Sequence, residues 1–492
     1  MIQQSPEQLL HALLYLHEDM LSAALPTIER WTQAVSDDRQ HIRYSLENLA
    51  HYVALRRHDL REIQDSLQPL GLSSLGRIES RVLPNLDAVI NTLGHLSGYD
   101  NLTPEQPSLE DFSHGRQLLD RETDAVLGAL PDNRRVRIMV TMPSHAAKDA
   151  HFVRQLVEHG MDIARINCAH DSPDDWADMI KNIRVAESLA GRKVKIAMDL
   201  VGPKVRTADI VQPDGNRVHI GDVIFLTCDT QSVVDDYPDA IQVRCTTPDV
   251  IPQIHCGDKV WFDDGKIGTV VEAKIANGLV LRVTHASKNG DKLKAEKGIN
   301  FPDSQVMLET LSDKDKADLD FVVKHADIVN YSFVQTVDDV KLLQSEIAKR
   351  QPEHPIALVL KIETALAVRN LPELIAAAMS QQPVGVMIAR GDLAVEIGYE
   401  RLAEMQEEIL WMCEAAHVPV IWATQVLENL AKKGRPSRSE VTDAAMSERA
   451  EAVMLNKGDY ILRAVDILDG ILARMHSHQS KKDSRLRALQ SW

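Results

Sequence analysis

From residue 135 onward the apolar positions come in short runs rich in β-branched residues, separated by stretches of helical periodicity. The runs are RIMVTM, IARINC, VKIAMDL, DIVNYSF, IALVLKIE, VGVMIARGD, VPVIWATQ and EAVMLNKG. Strands alternating with helices predict parallel βαβ units, because parallel neighbours need a crossover of helical length. Eight such units close a (β/α)8 TIM barrel, an α/β fold. The spacing is even except between the third and fourth runs. There, residues 208–296 read as strands joined by the turn formers DDG and NG, as in VWFDDGKIGTVVEAKIANGLVLRVTH. This predicts a small β-barrel lid domain inserted at the C-terminal rim of the main barrel.

Before the barrel, PEQLLHALLYLHEDMLSAAL and LENLAHYVALRRHDLREIQDSL repeat apolar residues at helical spacing, and NLTPEQPS reads as a linker. The expected division is an all-helical N-terminal module at 1–112, the barrel at 113–207 and 297–475, the lid at 208–296, and a basic tail at 476–492, helical or frayed. No further domain is expected after the eighth strand and its helix. The helical module carries no recognisable chemistry; it reads either as cover for a barrel surface or as a regulatory or partner-binding element.

Composition narrows the setting. A net charge of −17 repels nucleic acid and anionic membranes at long range, so neither is expected as a partner, and an anionic substrate would need local Lys and Arg. No apolar run reaches the length of a membrane span. The opening MIQQSPEQLLHALLYLHEDML lacks a basic region and a cleavage site, so no export signal is expected. The five cysteines lack CxxC spacing, which argues against a disulfide framework or a zinc site and favours a cytoplasmic location.

In a TIM barrel the chemistry gathers where the strands end. The second strand delivers Arg165, Asn167 and His170; the third Asp199, Lys204 and Arg206; the fourth Ser332; the fifth Lys361 and Glu363; the sixth Arg390 and Asp392; the seventh Thr424. Each has a plain alternative: a KxE is usually a strand-end ion pair, and RGD is usually a turn. Unrelated turns, however, have no reason to place charge at the same end of six strands. A pair of carboxylates among several cations suits a divalent metal with oxygen ligands that holds an anionic substrate.

The order of motifs resembles the pyruvate kinase family. GMDIARINCAH, AMDLVGPKVRT, KGINFP, LSDKDKADLDF, ALVLKIE, MIARGDLAVEI, VPVIWATQVLE, RPSRSEVTDAA and AVML follow that family's sequence of motifs over residues 135 to about 470. The resemblance implies phosphoryl transfer between phosphoenolpyruvate/pyruvate and ADP/ATP. Glu363 and Asp392 would ligate Mg2+ (or Mn2+), and Lys361 would stabilise the enolate and the phosphoryl group in flight. Arg165 would hold the substrate phosphate, supported by Arg206, Asn167 and Asp199. Thr424 would position the proton donor, backbone amides at Gly391 and Asp392 would hold the carboxylate, and His170 and Lys297 would lie near the nucleotide. Ser332 closes the fourth strand beside this set.

Several positions depart from the family pattern. At the monovalent-cation site Asn167 and Asp199 match, but Ala169, Leu200 and Lys204 replace a Ser, a Thr and a Glu. The Lys204 ammonium can stand in for K+, as in the potassium-independent branch, so no K+ requirement is expected. TMPSHAAKD lacks the glycine of the family's first-strand loop, NKGD replaces its SGET, and Ala394 replaces a glycine after RGDL. The C-terminal regulatory domain has no counterpart, so sugar-phosphate activation at that site is not expected. Two other readings stay open: a metal-enolate lyase or a phosphotransferase with a different acceptor, and a non-catalytic phosphoenolpyruvate sensor. The sequence also leaves a homodimer open.

Overall fold

A computed structural model of the chain describes residues 4–212, 217–227, 240–481 and 483–484. Its centre is a closed barrel of eight parallel strands: Arg137–Thr141, Ile163–Asn167, Lys195–Asp199, Ile328–Tyr331, Ala357–Ile362, Val384–Ala389, Val420–Ala423 and Ala452–Leu455. Each strand lies within one of the eight runs read from the sequence. They form strands because both faces are covered, one by helices and one by the barrel interior, so a continuous apolar run is what burial requires. Register aligns Asn167 with Asp199 and Asp199 with Asn330, which brings three polar side chains to one level at the barrel's top.

The floor of the barrel is closed by a helix that comes before it in the chain. Helix Leu109–Leu127 starts at a Ser108 capping box, and its last turn places Val126 and Leu127 against Met139, Ile163, Val359, Met387 and Ile421. It runs across the expected boundary at residue 112. The preceding helices, Pro6–Gln33, Arg43–Leu55, Arg61–Leu67 and Val82–Ser97, share one continuous apolar core with the barrel's outer helices. Polar contacts fix the docking. Asn48 Nδ2 donates to the carbonyl of Ala415 (2.8 Å), Trp31 Nε1 to Glu373 (2.8 Å) and Arg39 Nε to the carbonyl of Met379 (2.9 Å). The module covers barrel surface, as one of its two sequence readings had it.

Among the described residues the insertion is a seven-stranded sheet running from Thr207–Val211 to Ile299–Asn300, with its own core that includes Val243, Val260, Phe262, Leu281 and Val283. The sheet therefore extends beyond residues 208–296 at both ends. The DDG signal is a real turn: Asp263, Asp264 and Gly265 all have positive φ (52°, 55° and 85°). Chain entry and exit form a narrow ribbon, with Thr207 N donating to Lys297 O (2.8 Å) and Ile299 N to Val205 O (2.9 Å). This ribbon joins the sheet to the barrel, the place a hinge would occupy.

The tail differs from the helical or frayed expectation. Gln479–Ser480 and Asp483–Ser484 pair antiparallel, and Lys481 reaches the buried Glu451 at 2.5 Å. Glu451 is almost fully buried, and a carboxylate there needs a cation that the strand itself does not supply. Residues 485–492 lie outside the described residues. Among those described, no helix is long and apolar enough to cross a membrane.

Candidate active site

Asp199 is the hub. At the end of the third barrel strand it is 1% exposed, receives hydrogen bonds from the strands on either side and pairs with a cation from the fifth. Arg165 grips it with two bonds, Nε to Oδ1 (3.0 Å) and Nη2 to Oδ2 (2.7 Å), and donates a third from Nη1 to the hydroxyl of Thr141 (2.9 Å). Asn330 donates to Oδ1 at 2.6 Å, and Lys361 Nζ stands 3.3 Å from Oδ2. Burial alone would raise this carboxyl's pKa, but Arg165 and Lys361 outweigh it and hold the value at about 2. Asp199 is therefore a fixed anion that sets the direction of two cations.

Lys361, on the fifth strand, sits between anions. Its ammonium is 3.2 Å from Glu363 Oε1 and donates to Ser332 Oγ at 2.7 Å, and Ser332 in turn donates to the carbonyl of Leu200 (2.6 Å). Burial opposes its charge, yet Glu363 and Asp199 raise its pKa, so Lys361 remains an ammonium. Glu363 accepts from the backbone N of Phe333 (2.6 Å). Burial pushes its pKa up despite Lys361, with nearby Asp392 adding to the rise.

The short helix Arg390–Ile397 carries the second carboxylate. Arg390 anchors it, bonded to the carbonyls of Ala423 (3.0 Å) and Thr424 (2.7 Å), paired with Asp443, and stacked 4.6 Å over Trp422. Asp392 pairs with Lys204, whose Nζ is 2.5 Å from Oδ1 and 5.9 Å from the Phe333 ring centre. Thr424 has φ of 66°, a strained setting for a β-branched residue. Its Oγ1 accepts the Gly391 N–H at 2.9 Å, so its own O–H remains free to donate.

The other sequence candidates lie around this centre. Asn167 uses its side-chain oxygen on Ala169 N (3.0 Å). Arg206 is on the hinge ribbon and donates to the carbonyl of Glu296 (3.2 Å), away from Asp199. Lys297 pairs with Asp263 of the lid at 3.0 Å. His170 lines a cleft with Thr141, Arg165, Asn456 and Lys457, and burial together with Lys457 lowers its pKa. Three residues of the site were not among the candidates. Thr141 and Asn330 orient Arg165 and Asp199, and Asp443 anchors Arg390. The readable signal for Asn330 was a fully buried amide inside an apolar strand, which must have a polar partner.

Among the described residues no group of three or more His, Cys, Asp or Glu side chains gathers to hold a metal. The paired carboxylates Glu363 and Asp392 nevertheless fit a hard divalent cation that takes its remaining ligands from substrate and water. Asp392 raises the cost of charge on Glu363, and a cation between them would relieve it.

Known proteins resemble this chain over its barrel. The family model for the barrel domain of pyruvate kinase matches residues 133–465. Human pyruvate kinase PKLR is 33% identical over 378 residues, covering 72% of this chain and 61% of the relative. The pyruvate kinase of Geobacillus stearothermophilus is 32% identical over 359 residues, covering 71% and 58%. That of Thermococcus litoralis is 32% identical over 365 residues, covering 72% and 73%. The chain thus spans about three fifths of the length of the first two relatives.

Proposed function

The chain belongs to the pyruvate kinase family, and from that premise we propose that it transfers the phosphoryl group of phosphoenolpyruvate to a nucleoside diphosphate, giving pyruvate and the triphosphate. The observation that carries this reading is Lys361, held as an ammonium between Asp199, Glu363 and Ser332 at the mouth of the barrel. Phosphoryl transfer asks little covalent chemistry of a protein; it needs alignment and fixed positive charge. An acceptor oxygen bonds to phosphorus as the bond to the enol oxygen breaks, and the electron pair stays on that oxygen as an enolate. Lys361 stabilises the charge where it appears, and Arg165, oriented by Asp199, faces the phosphate. The enolate then takes a proton at its methylene carbon, and the Thr424 hydroxyl holds the donor in place.

Glu363 and Asp392 would hold Mg2+, which when bound supplies positive charge shared by substrate and phosphoryl oxygens. Independence from K+ is supported by the state of the oxygens that would serve it. Asp199 is taken up by Arg165, Asn330 and Lys361, and the Asn167 oxygen by a backbone N–H. Lys204 keeps a further positive charge within the site, on Asp392. The lid would exclude water from the phosphoryl group. A reducing, cytoplasmic setting is consistent with Cys168, Cys245, Cys256 and Cys413 being free thiols.

Purified protein incubated with phosphoenolpyruvate, Mg2+ and a panel of nucleoside diphosphates, without K+, tests the reading. Pyruvate is expected only when a diphosphate is present. Pyruvate without one favours the lyase or other-acceptor reading, and binding without turnover favours the sensor.

A further inference from the structure

Where the lid's return strand leaves the hinge, Asn300 Nδ2 donates to Glu396 Oε1 at 3.0 Å. Asn300 is 5% exposed and belongs to the two-residue strand Ile299–Asn300, which pairs with Lys259–Phe262 of the lid. Glu396 lies on the opposite body, on helix Arg390–Ile397, four residues after Asp392. Residues four apart share a helix face, so the carboxylate that touches the lid and the one at the metal position ride on the same side of one short rigid element. The backbone N–H of Phe301 faces the same carboxylate and favours its charge. Nearby, a Cβ built on Gly265 in the lid's DDG turn would lie 3.5 Å from Val395 of the same helix. The Asn300 contact and the close approach of the DDG turn therefore both fall on the element that presents Gly391 and Asp392.

We propose that Glu396 is a positioning residue that couples the lid to the catalytic helix, so that lid closure and the placement of Asp392 are set together. The proposal rests on the phosphotransfer reading for its consequence and on the hinge contact for its substance. Nothing in phosphoryl chemistry requires a carboxylate at this place, half-buried at a domain boundary, and one removed from bulk water is kept where a partner offsets the loss of hydration. When the lid's return strand shifts, Glu396 follows through its hydrogen bond to Asn300, and Asp392 follows through one helical turn. If the tie is cut, the lid loosens over a helix that no longer tracks it, and water gains access. Water's oxygen then bonds to phosphorus while the enol oxygen leaves, releasing phosphate with no triphosphate formed.

The test compares Glu396→Ala, Glu396→Gln and Asn300→Ala in the full chain, with two readouts. The first is amide hydrogen exchange, for which Glu396→Ala and Asn300→Ala are expected to speed exchange at 204–207 and 297–301 about tenfold and leave barrel-strand amides unchanged. The second is turnover with phosphoenolpyruvate, Mg2+ and ADP, where kcat is expected to fall about tenfold, with the KM for phosphoenolpyruvate within about twofold and more phosphate released per triphosphate. Glu396→Gln, whose amide oxygen still accepts from Asn300, is expected to restore most of both. Unchanged hinge exchange in the two Ala variants overturns the proposal, as does a Gln variant as impaired as Ala. If the parent protein makes no pyruvate with any diphosphate, the activity reading fails, and hinge exchange alone decides the coupling. Asn300→Ala breaks the same contact from the lid side should Glu396→Ala fail to fold.

Discussion

At the scale of single residues the site is a chain of charges, each fixed by the next. Lys361→Met removes the cation between two buried carboxylates, so it should lower pyruvate formation by about a thousandfold or more. It should also destabilise the fold by about 3 kcal/mol at neutral pH, because Asp199 and Glu363 are left buried without their shared partner. Urea unfolding beside a pyruvate assay measures both, and a variant with normal turnover would remove Lys361 from the mechanism. The charged ends of the strands were legible in the sequence because an apolar run that stops at Lys, Glu, Asp or Arg announces itself. Asn330, a polar residue inside an apolar run, signals only that it needs a polar partner; that the partner is Asp199 depends on register across the barrel. Nor could spacing say which carboxylate Lys204 would meet; the loop was readable, but the direction of its side chain was not.

At the scale of elements, two contacts between parts decide behaviour. Burial, reinforced by Asp392, pushes the Glu396 carboxyl up to about 7, against the Asn300 bond, the nearby Phe301 amide and the charge of Lys204. A carboxyl raised in the folded state adds stability that is full below its unfolded value near 4.5 and is lost as pH rises through about 7. Between those values the parent should lose about 2 kcal/mol that Glu396→Gln does not, visible as a flatter dependence of Tm on pH. The second contact is the approach of helix Leu109–Leu127 to the docking seam. A Cβ on Gly115 would lie 1.9 Å from the carbonyl of Ser80 and 2.6 Å from His417 Nε2. Helix propensity favours Ala over Gly by about 1 kcal/mol, whereas forced overpacking costs about 1–3 kcal/mol and here would also part His417 from Ser80. Gly115→Ala should therefore lower the melting temperature; a rise would show that the seam yields. The strands and turns on either side of these contacts were readable from periodicity. The contacts themselves were not, because each joins segments far apart in the chain.

At the scale of the whole molecule, the barrel, its inserted lid and the helical module were all legible, since each has its own periodicity and punctuation. The one expectation that concerns the assembled site as a whole is its independence from K+. Replacing K+ by tetramethylammonium at equal ionic strength should leave the rate of pyruvate formation within about twofold, because protein donors already occupy the oxygens of Asp199 and Asn167. A strict requirement for K+ would show that those donors give way. The plug formed by Val126 and Leu127 has a consequence for how the chain reaches this state. The segment that closes the barrel's floor leaves the ribosome before any barrel strand has been made, and the last wall, Ala452–Leu455, emerges long afterwards. Through most of synthesis the helical module must wait with its barrel-facing side chains uncovered. Folding is then a late, collective event, and a nascent chain stalled before the eighth strand exposes a sticky surface that invites chaperones or aggregation.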